Sequence, residues 1–326
     1  STLDLRYARV TFPVSLSVDL DTGTAEGTMQ KTLDAKTALR LAKPFLPELE
    51  ADYAVAGGEI EIAAKGSFRD SLRASVDITG SDIAATYDDI VLRGIDLTAH
   101  LDIADSFAVQ PGEVTIGAMD IGFPITNVAT QYQFSPSTAL DVLTLTETAG
   151  EALGGRFSID RIDYDIEAET AAFSLDVDGL QLADILALEG ETFTGDGTLD
   201  GSIPISIAGE DVRVTGGEIA ARPPGGVIRS VDVADIASSI PFGGVEDISF
   251  ALGAFADYRF TKLAVGVNYD TDGTLALAVK LEGSNPAIQS GRPIHYNLNV
   301  TENIPALLQS LQLSDQLTEK VEERFN

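Results

Sequence analysis

The segment "NYDTDGTLALAV", residues 268–279, sets Asn268, Asp270, Asp272 and Gly273 at the spacing of the first half of a calcium loop. Oxygen ligands at alternate positions and a glycine at the bend suit a hard divalent cation, with a bidentate glutamate closing the shell at position twelve. Position twelve is Val279 and the flanks alternate like strands, so the segment is read as a hairpin turn. "DLDTG" from Asp19 departs sooner, carrying Thr24 where the loop glycine belongs. Gly195, Gly197 and Gly201 in "GDGTLDGSIPI" come near a dinucleotide fingerprint, but that motif opens a helix and "SIPISI" alternates as a strand. These glycines are read as turns and kinks. The only two histidines, His100 and His295, stand on the polar sides of alternating runs, away from any nucleophilic serine motif. Asp163 and Asp165 in "RIDYDIE" have the types needed for glycoside hydrolysis. Among 51 acidic residues such pairs arise by chance, and a solvated strand face accounts for them. Pro223, Pro224, Gly225 and Gly226 in "EIAARPPGGVIR" pair glycines with an arginine as a phosphate cradle would. No convincing helix N-terminus follows to supply the dipole, so they are read as a bend. No catalytic group, metal site or cofactor is expected.

The elements around these residues are set by composition and periodicity. The 326 residues carry a formal charge of −30, which opposes nucleic acid and anionic surfaces as partners. Hydrophobic residues make up 44% and charged residues 22%, a folding composition and not that of an acidic tail. There is no cysteine, which leaves cytosol and a disulfide-poor periplasm both open. No apolar run approaches the ~20 residues of a membrane span. "STLDLRY" reads as structured sequence from its first residue, so the chain is expected to be a piece of a longer protein whose signal or anchor lies elsewhere.

Alternation with period two dominates. Phe12, Val14, Leu16, Val18 and Leu20 share one face of "TFPVSLSVDL", and Ile95, Leu97, Leu101 and Ile103 share one face of "IDLTAHLDI". The pattern continues through Phe157 and Ile159; Phe173, Leu175 and Val177; and Ile203, Ile205 and Ile207. It closes with Leu263, Val265 and Val267; Leu275, Leu277, Val279 and Leu281; and Ile294, Tyr296 and Leu298. "AGGE", "TGDG", "DVDG", "TGGE" and "DTDG" separate the runs with residues able to turn, which predicts hairpins in an antiparallel meander.

Helical signals are few. "LDAKTALRLAKPFLP" suits a short helix capped by Asp34 and stopped near Pro44, and "LQLADILAL" and "VDVADIASSI" suit two turns each. "NIPALLQSLQLSDQLTEKVEERF" is the strongest, with Ile304, Leu307, Leu308 and Leu311 on one stripe over about 303–324. Roughly sixteen one-sided strands thus face about four helices, too few to cover them. At ~4.8 Å per strand such a sheet would extend on the order of 75 Å, and a long twisted sheet must curl or split. The expected fold is mainly β: a long antiparallel sheet curled into an open U-shaped groove, with a few short helices and a C-terminal amphipathic helix. It is read as one continuous body over 1–326, with groove segments 1–150 and 151–326.

"FTGDGTLDGSIPISIAGEDVRVTGGEIAARPPGGVIR" and "LEGSNPAIQSGRPIHYNLNVTENIPALLQSL" resemble the C-terminal part of YdbH-like proteins, in the AsmA-like, repeating β-groove superfamily. "PPGGVIR", "LEGSNP" and "GRPIHYNLNVTENIPALL" carry the likeness over about the last 170 residues, and residues 1–150 share only the pattern. The resemblance implies a non-enzymatic periplasmic β-trough conducting phospholipids between the inner and outer membranes. It implies also an inner-membrane helix outside this sequence, and a small outer-membrane lipoprotein that adds strands at the C-terminal end. Each methylene moved from water onto an apolar floor is worth ~0.8 kcal/mol, so acyl chains can be held by contact alone. The periodic apolar residues would then be the lipid-bearing floor, and Ile304, Leu307, Leu308 and Leu311 an end-capping helix. The competing reading is an acidic β-rich surface or interaction protein whose apolar faces pack internally.

Overall fold

Side chains that alternate between water and a covered face are satisfied only by an extended, pleated backbone, and most of this chain adopts one. The computed structural model describes residues 2–45, 53–87, 90–188, 190, 192–230, 253–288 and 290–303. In chain order its elements are β1 Thr2–Tyr7, β2 Val10–Asp19, β3 Thr24–Asp34, α1 Ala35–Ala42, β4 Tyr53–Phe68, β5 Leu72–Tyr87, β6 Ile90–Ile103, β7 Phe107–Val109, β8 Gly112–Asp120 and β9 Pro124–Ser135. They continue as β10 Val142–Ala152, β11 Gly155–Asp165, β12 Thr170–Gln181, α2 Leu182–Ala187, β13 Phe193–Asp196, β14 Thr198–Ala208, β15 Asp211–Ala221, β16 Gly226–Ser230, β17 Tyr258–Tyr269, β18 Thr274–Ser284 and β19 Pro293–Asn303. The nineteen strands form one large, open antiparallel sheet. β7, β13 and β16, of 3, 4 and 5 residues, are too short for alternation to reveal and carry the total past the sixteen or so that alternation predicts. Among the described residues no helix is long and apolar enough to cross a membrane.

The chain divides into two compact units, Ser1–Gly150 with Asp160–Ala171, and Glu151–Ile159 with Ala172–Asn326. The first is a meander: β1 to β6 pair each with the next, β8 lies beside β6 and β9 beside β8. Local chemistry fixes its turns. Asp19 Oδ1 accepts the amides of Asp21 at 2.9 Å and Thr22 at 3.3 Å and ends β2. Asp34 caps α1 by accepting the Thr37 amide at 2.9 Å, as the sequence predicts, and the helix buries Ala35 and Leu41.

In the second unit β14 and β15 form a hairpin, β15 lies beside β17, and β17, β18 and β19 form a meander. β16 pairs with both β13 and the start of β17. α2 falls where "LQLADILAL" predicts it. The predicted helices of "VDVADIASSI" and of the C-terminal stripe Ile304, Leu307, Leu308 and Leu311 lie outside the described residues.

Candidate functional site

Register carries the apolar faces across strands, since directly opposed residues in an antiparallel pair share a face. In the first unit one row runs Leu3, Val14, Met29, Ala64, Val76, Leu101 and Val109. The next runs Leu16, Gly27, Gly66, Ala74, Ile103 and Phe107. Leu97 stands opposite Gly80 and Val114, and Ile95 opposite Ile83 and Ile116, so Ile95, Leu97 and Leu101 lie on this same face. Phe12, Val14 and Leu16 are half-buried while Pro13, Ser15 and Ser17 are exposed.

A cleft of about 450 Å³ opens on this face. Ala25, Gly27, Ala64, Gly66 and Ala74 keep part of its lining low, while Leu5, Phe12, Leu16, Met29, Phe68 and Leu72 stand higher beside them. The depression follows from residue size, because rows of glycine and alanine leave empty the volume that leucines on neighbouring positions would fill. Phe68 and Leu72 are each 54% exposed at one end. Val18, also on this face, is 61% exposed. Leu20 departs from the sequence expectation: the Asp19 turn stops β2 one residue earlier, and Leu20 lies in the turn, 89% exposed.

In the second unit Ile219, Val265, Val279 and Leu298 make one row, Gly217, Val267, Leu277 and Val300 the next, and Leu263, Leu281 and Tyr296 a third. Ile205 opposes Val214, itself opposite Tyr269 and then Leu275, and Ile207 opposes Val212. Ile203, at the β14 irregularity between Ser202 and Ile205, is half-buried. One end of this face is covered. Leu199, Ile228, Ala254, Tyr258, Phe260, Leu263 and Leu281 form a buried cluster with Val177, Leu180 and Leu182, and Phe157, Leu175, Ile185, Leu186 and Phe193 pack against it. Ile159 is buried and Phe173 half-buried. Phe255 stacks on Tyr296 with ring centroids 4.8 Å apart, and the Tyr258 hydroxyl donates to the Ile294 carbonyl at 2.6 Å. Burial pushes the Tyr296 hydroxyl pKa up to about 12. Away from this cluster the same face is half-exposed, through Ile203, Ile205, Ile207, Leu275, Leu277 and Leu298. Period-two reasoning misses the covering layer, because residues 253–257 are helical and then turn, with no strand alternation; the aromatic run Phe255, Tyr258 and Phe260 was the available signal.

The polar residues with chemical potential are engaged elsewhere. Arg161 forks onto Asp163, Nε to Oδ2 and Nη2 to Oδ1, both at 2.7 Å, and Thr144 donates to Asp163 Oδ1 at 2.6 Å. Arg161 first and Thr144 second hold the Asp163 carboxyl below the usual range. Asp165 accepts the Ala168 amide at 2.8 Å, so the two carboxylates serve separate turns and pairs. His100 Nδ1 meets Asp77 Oδ1 at 2.5 Å, and His295 is exposed opposite Glu282. The 270–273 segment is a hairpin turn: Asp270 Oδ1 accepts from Thr271 and Arg213, and Asp272 Oδ1 from Thr274. The Gly225 amide donates to the Arg222 carbonyl at 2.9 Å, closing the PPGG bend, and Arg222 is held by Asp200 and Asp178. Gly197 sits at a φ of +144° between β13 and β14, a kink and not a helix start.

The geometry thus divides an apolar face from a charged, internally paired one. Neither the curated proteins nor the solved structures yield a match. The family model described as "YdbH-like: Intermembrane phospholipid transport protein YdbH" matches residues 13–326, nearly the whole chain. A chain matched over that length belongs to the YdbH-like family of intermembrane phospholipid transport proteins.

Proposed function

We propose that this chain conducts phospholipids along the apolar faces of its sheet, in the periplasm, as part of a body reaching from the inner to the outer membrane. The observation that carries the reading is the cleft of the first unit, whose walls are almost wholly apolar and open to solvent. Burial of apolar area drives association without bond-making, so acyl chains settle there while headgroups stay wet. The chain acts as a conduit and not as an enzyme, since Asp163, Asp165 and His100 are each occupied by structural partners. The apolar residues of β2 and β6 form a lipid-bearing floor in the first unit, and those of β11, β12, β14, β17, β18 and β19 form one in the second. At its C-terminal side β19 pairs with β18 and with no other strand among the described residues, an edge suited to strand addition by a small outer-membrane lipoprotein.

The test is site-specific photo-crosslinking in cells. A crosslinking residue at Leu16 or Leu277 should capture phospholipid, and one at Ser15 or Ala276, on the opposite face, should not. Equal capture from both faces, or none from either, would sink the groove and favour an acidic interaction protein with internally packed sheets.

A further inference from the structure

Every lysine and arginine among the described residues is exposed, with one exception. Lys31, in β3, is half-buried and alternates in phase with Met29 and the buried Leu33, placing it on the apolar side of the strand. Register puts it directly opposite Ile62, which opposes Ile78, which opposes Ala99. The rows on either side are Met29–Ala64–Val76 and Leu33–Ile60–Gly80, so the cation stands alone in an apolar grid. No hydrogen bond or ion pair joins it to any described residue, and every described carboxylate of the first unit is exposed. In a chain of net charge −30 an unpaired cation at such a position is the opposite of what solubility alone would select.

Its surroundings suit one class of ligand. Met29, one inward position along β3, lines the apolar cleft. The β2–β3 ladder begins at Val14 and Met29, so at Lys31 the strand is paired on its β4 side only, and a polar group can approach from the other. A flexible ammonium stem beside an apolar cleft matches a molecule with an anionic group joined to long hydrocarbon. We infer that Lys31 is a phosphate-anchoring residue, holding the phosphodiester of a glycerophospholipid whose acyl chains occupy the adjoining cleft. This rests on the lipid-conducting reading above and adds to it a place where each lipid pauses in a fixed orientation.

The full chain, stripped of lipid, would be incubated with dioleoyl phosphatidylglycerol or with dioleoylglycerol, which has the same chains and no phosphate, and retained lipid counted by native mass spectrometry. Lys31→Met keeps the apolar stem and removes the charge; it should lower phosphatidylglycerol retention roughly ten-fold or more and leave dioleoylglycerol retention unchanged. Lys31→Arg should restore retention. Wild-type retention of phosphatidylglycerol by Lys31→Met, or an equal loss of both lipids, overturns the anchor while leaving the conduit standing. Uptake of neither lipid by the wild type overturns the conduit as well. Binding of inorganic phosphate alone, lost in Lys31→Met, would make this a free-phosphate site and overturn the lipid assignment.

Discussion

His100 illustrates how a polar strand face is stabilised by ordinary means. The carboxylate of Asp77 on its Nδ1 raises its pKa above the ordinary 6.5, against a smaller opposing effect of desolvation, with Asp102 adding to the rise. The folded state therefore binds the proton more tightly than the unfolded chain. Its contribution is complete below 6.5 and is lost as pH rises through the higher folded-state value. The difference in melting temperature between wild type and His100→Gln should accordingly shrink from about pH 5.5 to about pH 8; a constant difference would mean that the ring acts by packing alone. Asp77 and His100 were legible as outward residues from alternation, though their pairing across β5 and β6 was not, because register is a property of the turns. Lys31 was legible in principle, since Ala25, Gly27, Met29 and Leu33 fix the parity. Two of those four are alanine and glycine, too small to mark an apolar stripe, and the lysine passes for a solvated neighbour.

At the level of elements, turns and helix caps followed from composition and irregularities did not. Asp34 at the start of α1 and the Asp270–Gly273 hairpin stand where side-chain oxygens and glycine predict them. The register shifts of β4 around Gly57 and of β5 between Gly80 and Ile83 leave no comparable mark, because a bulge is chosen by packing as much as by its own residue. The PPGG bend lies between these cases. Gly225 has a φ of +101°, and a Cβ there would meet the backbone of Phe260, a residue of the buried cluster; one at Gly226 would meet the Asp196 carbonyl. Gly225→Ala should therefore cost on the order of 3 kcal/mol or more. Gly23→Ala, at a φ of +68° with nothing within 4 Å, should cost only about 1 kcal/mol. Denaturant titration of the two variants checks this, and equal losses would show that backbone strain alone matters and that close packing behind PPGG does not.

For the molecule as a whole, alternation with few covering helices was enough to indicate an open, mainly β architecture. It could not indicate where the face is covered, because the aromatic cluster of Phe255, Tyr258 and Tyr296 is assembled from distant segments. The proposed lipoprotein contact belongs to this scale. Proline at β19 positions whose amides point away from β18 should abolish the complex in a pull-down while leaving the melting temperature nearly unchanged. Normal binding by such variants, with loss on substitution of Leu307 and Leu308, would mean that docking does not use the strand edge. In the first unit successive strands from β1 to β6 pair each with the next, joined by short links at most of the turns. Such an order is extensible. Duplicating a hairpin's worth of coding sequence inserts two strands between existing neighbours and lengthens the sheet by about 10 Å, while every other ladder keeps its partner. Length can thus drift by whole hairpins over evolutionary time while the strands on either side of an insertion keep their pairing and their alternation of faces.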